Sequence, residues 1–492
     1  MGSADTVESF DVLIIGAGIS GINTAHYLQT RGSPGFSSYT ILERRGRIGG
    51  TWDLFQYPGI RSDSDIFTFG FSWNPWQGDA PIVTGDKICA YLGESAAKEG
   101  IDKHIRFYHH VRSADWSSAS STWSIKAKKG DGEGQDVEYR AKFLVIGTGY
   151  YDYDEPLQVT IPGIQSFKGP VINPQFWPSD LNYINKDVAI IGSGATAVTL
   201  VPSMAKDARH VTMLQRSPGY VVSVTMGQQL KSFVRVLRWI VPRKVMGHLL
   251  RIYFALHGAY SYFFCQWFPK VARKVIQSAA KKQLPPNYKL NPHFEPSYGP
   301  WDQRLCASPD GDFYAAIRST KASVVTDTIR EVTEDSIQLK SGQVLRPDII
   351  VAATGLKLSF GGHIQFSIDG EAYDPTSKFS LKGCMLQDAP NLSFVLGYAN
   401  ASWTLGAEAT GLFLTRLWSR MAANKTSVVI PRAKDADKMK VFPQLGLTST
   451  YVQIGGKNMP KGGEGLWAPR RNCLTDTFQA AWPSPLEGLE MR

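Results

Sequence analysis

Gly16, Gly18 and Gly21 stand with GxGxxG spacing between an apolar run, DVLII, and a stretch of helical period, INTAHYL. Glycines so placed allow a tight turn, close backbone approach to a diphosphate and close packing of helix on strand. The diphosphate then meets free N–H groups and the positive end of the helix dipole. A second apolar run, YTILE, ends in Glu43, an acceptor for ribose hydroxyls. The arrangement recurs 176 residues later in DVAIIGSGATAVTL, with Gly192, Ser193, Gly194, Ala195, Thr196 and Ala197 forming the second turn. There the next strand ends without an acid: Gln215, Arg216 and Ser217 take the place of Glu43. A carboxylate would repel a 2′-phosphate, whereas a guanidinium pairs with it. The first site is therefore expected to hold FAD and the second NADPH, with hydride passing from nicotinamide to flavin.

Positioning two such turns requires an α/β chain with two Rossmann-like dinucleotide-binding domains. At 492 residues, 43% hydrophobic and 20% charged, the chain has the length and composition for them. The reading gives residues 1–150 as the first part of the FAD domain, 151–185 as a linker and 186–345 as the NADPH domain, with a helical insertion over 222–300. Residues 346–492 complete the FAD domain and end in a Gly/Pro-rich tail expected to wrap the surface or fray. The five cysteines show neither CxxC nor disulfide-framework spacing, so no structural metal and a reducing, cytoplasmic setting are expected. GRIGGTWDLFQYPGIRSDSD, where a disulfide reductase would carry its redox pair, contains no cysteine. The N-terminus lacks the pattern of a signal peptide.

Over most of its length the sequence resembles class B flavoprotein monooxygenases, especially Baeyer–Villiger monooxygenases of the ethionamide-activating type. GGTWDLFQYPGIRSD, Gly49 to Asp63, meets one family fingerprint in full, and IGSGATAVTLVP, MLQRSP, PWDQRLC, ATGL and YANASWTL look like that subgroup. A second fingerprint is met at Phe167, Gly169, Trp177 and Pro178 but has Asn173 where the family has histidine. The resemblance implies that this segment joins the nucleotide domains and responds to NADPH. Asparagine keeps a donor and an acceptor but does not titrate near neutral pH. The resemblance further implies that Arg304 stands beside the flavin with Asp63 orienting it, and that Gly50, Thr51, Trp52, Asp53, Val111 and Thr354 contact FAD. Trp403 and Asn400 are candidates for lining the site. The implied reaction is NADPH-dependent insertion of one atom of O2 into an apolar small molecule through a C4a-(hydro)peroxyflavin. Baeyer–Villiger oxidation of a ketone or aldehyde leads; S- or N-oxygenation and an uncoupled NADPH oxidase are the alternatives.

The net charge of +10 is uneven. No acidic residue occurs between Asp207 and Glu295, while that window holds 14 Lys and Arg, Lys231 and Arg238 among them; the rest of the chain is at −4. Residues 222–285 are aromatic, basic and helical in period. Three readings compete: a lid with a solvated basic face, the same lid lying on an anionic membrane surface, and a membrane span. Nucleic-acid binding is disfavoured because no recognition motif accompanies the charge.

Overall fold

The computed structural model describes residues 7–492 except 133, 238, 471 and 483; for 228–231 and 233 it describes the backbone alone. Arg238 and the Lys231 side chain, counted in the basic window, thus lie outside the described residues.

The first glycine turn joins the strand Glu8–Ile15 to the helix Ile19–Arg31. That strand lies between Tyr39–Leu42 and Gln135–Ile146, parallel to both. Its side chains alternate between two cores: Val12 and Ile14 pack on one face of the sheet, Leu13 and Ile15 on the other. A strand buried on both faces has no polar side, which is why DVLII is uninterrupted. The antiparallel run His109–Ser117, Thr122–Lys129, Gln135–Ile146 widens the sheet, and Gln365–Ile368 and Leu392–Phe394 join it from much later in the chain.

The second turn repeats the unit. The strand Asp187–Ile191 enters the helix Ala195–Met204, in a parallel sheet with His210–Gln215, Ala322–Thr326, Ile349–Ala352 and the short Val171–Ile172. Two boundaries move relative to the sequence reading. Val171–Ile172 makes part of the linker an edge strand of this sheet, and Ile349–Ala352 belongs to it although it follows residue 346.

The insertion is helical over Gln228–Leu237, Arg243–Trp267 and Pro269–Gln283. Its root is a strand pair, Val221–Val224 beside Cys306–Pro309, which fixes both ends of the excursion. Among the described residues no helix is long and apolar enough to cross a membrane, which removes the span. The tail also differs from expectation: Trp467 is buried, Cys473–Ala481 is a helix, and Leu489–Met491 pairs with Val429–Pro431.

Candidate functional site

One cavity of about 890 Å³ runs between the two sheets and reaches both glycine turns. Gly16 and Gly18 line it at one end with Glu43, Gly50, Thr51, Trp52, Val111 and Thr354; Gly192, Ser193, Gly194, Ala195, Thr196, Arg216 and Ser217 line it at the other. Asp63 and Arg304 lie on its wall between them. Three of the cofactor-binding candidates do not line it, nor do the four residues of the joining segment. Gly21 lies beneath the turn, where a Cβ would come 1.9 Å from the Gly16 carbonyl oxygen, so only glycine lets helix and strand approach this closely. Ala197 is fully buried against the second sheet. The Asp53 carboxylate is bonded to Arg45 (Nε 3.0 Å, Nη2 2.6 Å) and Arg47 (Nε 3.0 Å), which ties it to the loop following Tyr39–Leu42. Phe167, Gly169, Asn173 and Trp177 are the remaining four.

Both helices begin without a side-chain cap, Gly18 and Gly194 standing at the N-cap positions. Their first N–H groups are thus left for a ligand, as a dinucleotide diphosphate requires. Gly192 (φ +145°) has no room for a side chain, since a Cβ would come 2.2 Å from the Ala353 oxygen. Glu43 is buried, its oxygens accepting the N–H groups of Ala17 (2.7 Å) and Arg45 (2.9 Å). Burial raises its carboxyl above the ordinary range against the pull of those bonds. Arg216 is exposed at the cavity mouth, its Nη2 3.4 Å from Thr450 Oγ1. Its guanidinium is available to a phosphate.

Arg304 is the charged centre. Its Nε is buried without a hydrogen-bond partner. Burial opposes its charge, but the oxygens of Tyr150, Tyr451 and Tyr151 and the Asp63 carboxylate outweigh it and raise its pKa. Asp63 is raised by burial, while Arg304 and the Ala307 N–H draw it down. Among the described residues no ion pair joins Asp63 to Arg304, although each senses the other's charge. Arg61, two residues before Asp63, instead pairs with Asp312 and ties this loop to the second nucleotide unit.

Tyr150 and Tyr151 bring their phenol oxygens to 2.5 Å, and Tyr150 stacks on Trp403 at 5.0 Å. Trp403 lines the cavity, as expected; Asn400 is not among its lining residues. Tyr451 arrives from a segment 147 positions beyond Arg304 and matches no motif. His109 and His110 also line the cavity; burial lowers His110 to about 4 and keeps it neutral. All five cysteines are free.

A family model described as pyridine nucleotide-disulphide oxidoreductase matches residues 13–237. The FAD-containing monooxygenase EthA of Mycobacterium tuberculosis is 44% identical over 471 residues, covering 95% of this chain and 94% of its own. The chain belongs to the family of FAD-containing monooxygenases. The probable FAD-binding monooxygenase AlmA of Acinetobacter baylyi is 42% identical, with 95% and 93% covered. Among solved structures, an oxidized steroid monooxygenase bound to NADP superposes with a TM-score of 0.74 at 19% identity, covering 98% of this chain and 99% of that one. This monooxygenase therefore shares its fold with that enzyme.

Proposed function

We propose that this enzyme carries out Baeyer–Villiger oxidation of an apolar ketone or aldehyde, placing one atom of O2 next to the carbonyl carbon. It is an NADPH-dependent flavoprotein monooxygenase with FAD and NADPH as cofactors. The free helix N-termini at Gly18 and Gly194 would receive the two diphosphates, and Arg216 the 2′-phosphate. When bound and reduced by NADPH, the flavin supplies the oxygen-activating chemistry.

The observation that carries the proposal is the buried, unpartnered Nε of Arg304 on the wall of the cavity that links the two turns. A fixed guanidinium in a low-dielectric site stabilises negative charge developing on oxygen without reorganising. Nucleophilic attack on a carbonyl generates such charge. Asp63 compensates the cation at a distance and leaves its Nε free for the reacting oxygen. Trp52, Phe55, Phe69 and Trp403 give the wall an apolar lining that suits a water-poor substrate.

The test is Arg304→Ala assayed with ketones and sulfides, following NADPH, product and hydrogen peroxide. NADPH oxidation should persist while ester formation falls roughly 100-fold or more, the scale of one lost oxyanion donor, and peroxide should take its place. Retained ester formation removes Arg304 from the chemistry. Sulfoxide formation by wild type with no ester from any ketone would assign the site to heteroatom oxygenation; stoichiometric peroxide with every substrate would assign it to an oxidase.

A further inference from the structure

The long helix Arg243–Trp267 has two faces of opposite character. Its inner face is fixed to the flavin-side sheet domain. Arg251, despite its charge, is buried there, donating to the carbonyls of Phe67 (2.9 Å) and Thr68 (3.1 Å) and pairing with Glu408 at 2.7 Å. Phe254 stacks on Phe67 with ring centroids 5.0 Å apart, and Gly247 passes against the Trp76 carbonyl. These contacts set which face of the helix turns inward.

Its outer face is apolar and uncovered. Val245, Leu249, Ile252, Leu256, Tyr260 and Trp267 are all exposed, Leu256 at 61% and Trp267 at 71%. At 3.6 residues per turn they fall within an arc of about 100°, and at 1.5 Å per residue the stripe is about 33 Å long. Trp239 and Ile240 extend it before the helix, exposed at 89% and 80%, and Val271 and Val275 continue it beyond the turn. No Lys, Arg, Asp or Glu lies between Arg251 and Lys270. Exposed cations stand at both ends: Arg243 and Lys244 before the stripe, Lys270 and Lys274 after it. The segment supplies no carboxylate, because none occurs between Asp207 and Glu295.

We propose that this face docks on an anionic lipid bilayer, the helix lying flat with the apolar stripe in the headgroup boundary and the terminal cations on lipid phosphates. A continuous apolar stripe of this size exceeds the scattered exposed residues of an ordinary surface. Tryptophan and tyrosine at its edge suit the interfacial region, and basic residues at both ends match the sign of an anionic leaflet. A protein partner of matching charge would need acidic groups placed at the two ends alone; a bilayer presents them everywhere.

The test is flotation of the flavin-loaded enzyme with vesicles of phosphatidylcholine alone or with phosphatidylglycerol added, at low salt. The enzyme should float with the anionic vesicles and stay behind with the neutral ones, and 0.5 M salt should reduce the floated fraction several-fold. The double variant Leu256→Ser, Trp267→Ser should float at least tenfold less while keeping wild-type FAD content and NADPH consumption in solution. Because both residues are exposed, it is expected to fold; Trp239→Ser provides an independent variant outside the helix. Failure to float with anionic vesicles at low salt overturns the proposal. So does a wild-type dimer, seen by light scattering, that the double variant dissociates, since the stripe would then belong to a second copy.

Discussion

The Asp152 carboxylate receives Lys357 Nζ at 2.8 Å and His363 Nε2 at 2.9 Å, tying together the two chain segments that run between the sheets. Its other oxygen accepts the N–H groups of Asp154 and Glu155, both at 3.0 Å. Backbone bonds reinforce the crossing, Asp152 N to Lys357 O at 2.8 Å and Ser359 N to Tyr150 O at 3.0 Å. One carboxylate thus fixes the outgoing segment, which carries Tyr150 and Tyr151, against the returning one, which carries Thr354.

Burial alone would raise the Asp152 pKa, but these donors outweigh it and lower it from 3.8 to about 2. A carboxyl whose folded value is depressed adds stability above its unfolded value and loses it as pH falls through the folded one. Asp152→Asn should therefore unfold at a lower temperature than wild type by a constant gap above pH ~5, and the gap should narrow between pH ~4 and ~2. The amide oxygen can keep the two backbone donors, while Lys357 and His363 lose their carboxylate, and a cost of about 2 kcal/mol is expected at neutral pH. Thermal unfolding of both proteins across this range checks it. A gap that does not change with pH would mean that Asp152 acts through shape and not charge.

Arg216 gives a prediction about coenzyme choice. Among the described residues its hydrogen-bond partner is Thr450 Oγ1 at 3.4 Å, so its removal disturbs little of the protein. A charge-assisted bond to a phosphate contributes about 1.5–3 kcal/mol. Arg216→Ala should raise the KM for NADPH by roughly 10- to 100-fold at 1.4 kcal/mol per tenfold, and leave that for NADH within about twofold. Steady-state kinetics with both coenzymes decide it. Equal losses would mean that the residue positions the loop and does not read the 2′-phosphate.

Both nucleotide units were legible because local rules produce them. Strand, glycine turn and helix are contiguous in sequence, and the apolar runs DVLII and DVAII are uninterrupted because both faces of their strands are buried. What stayed hidden depends on long-range packing. Arg251 reads as one more cation in a basic segment, yet the free carbonyls at the end of the short helix Ile66–Phe69 and Glu408, 157 positions away, turn it into a buried anchor. Tyr451 reaches the Arg304 wall from a stretch with no pattern to distinguish it. Asp53 sits in a fingerprint that points to the cofactor, but two arginines nearby in sequence claim its carboxylate. A motif gives residue types; it does not fix which neighbour will take their hydrogen bonds.

Asn173 accepts two short-range backbone bonds. Its Oδ1 accepts the Gln175 N–H at 2.9 Å and its carbonyl accepts the Phe176 N–H at 3.0 Å, so it caps the short turn Pro174–Phe176. That turn aims the buried Gln175, whose Nε2 donates to the Asp152 carbonyl at 2.7 Å. The segment therefore touches the Asp152 crossing and not the cavity. A histidine cannot cap the turn as compactly, and the loss should cost about 1 kcal/mol. Asn173→His should leave FAD content and flavin reduction by NADPH unchanged. Through Gln175 it should alter two quantities set by how the sheets meet, the NADP release rate and the fraction of NADPH ending in product, each by less than about tenfold. Gln175→Ala, which breaks the same link one step later, should move both in the same direction. Rapid-mixing kinetics with NADPH and product quantified together provide the readout. If neither quantity moves in either variant, the Asn173 segment does not transmit coenzyme binding.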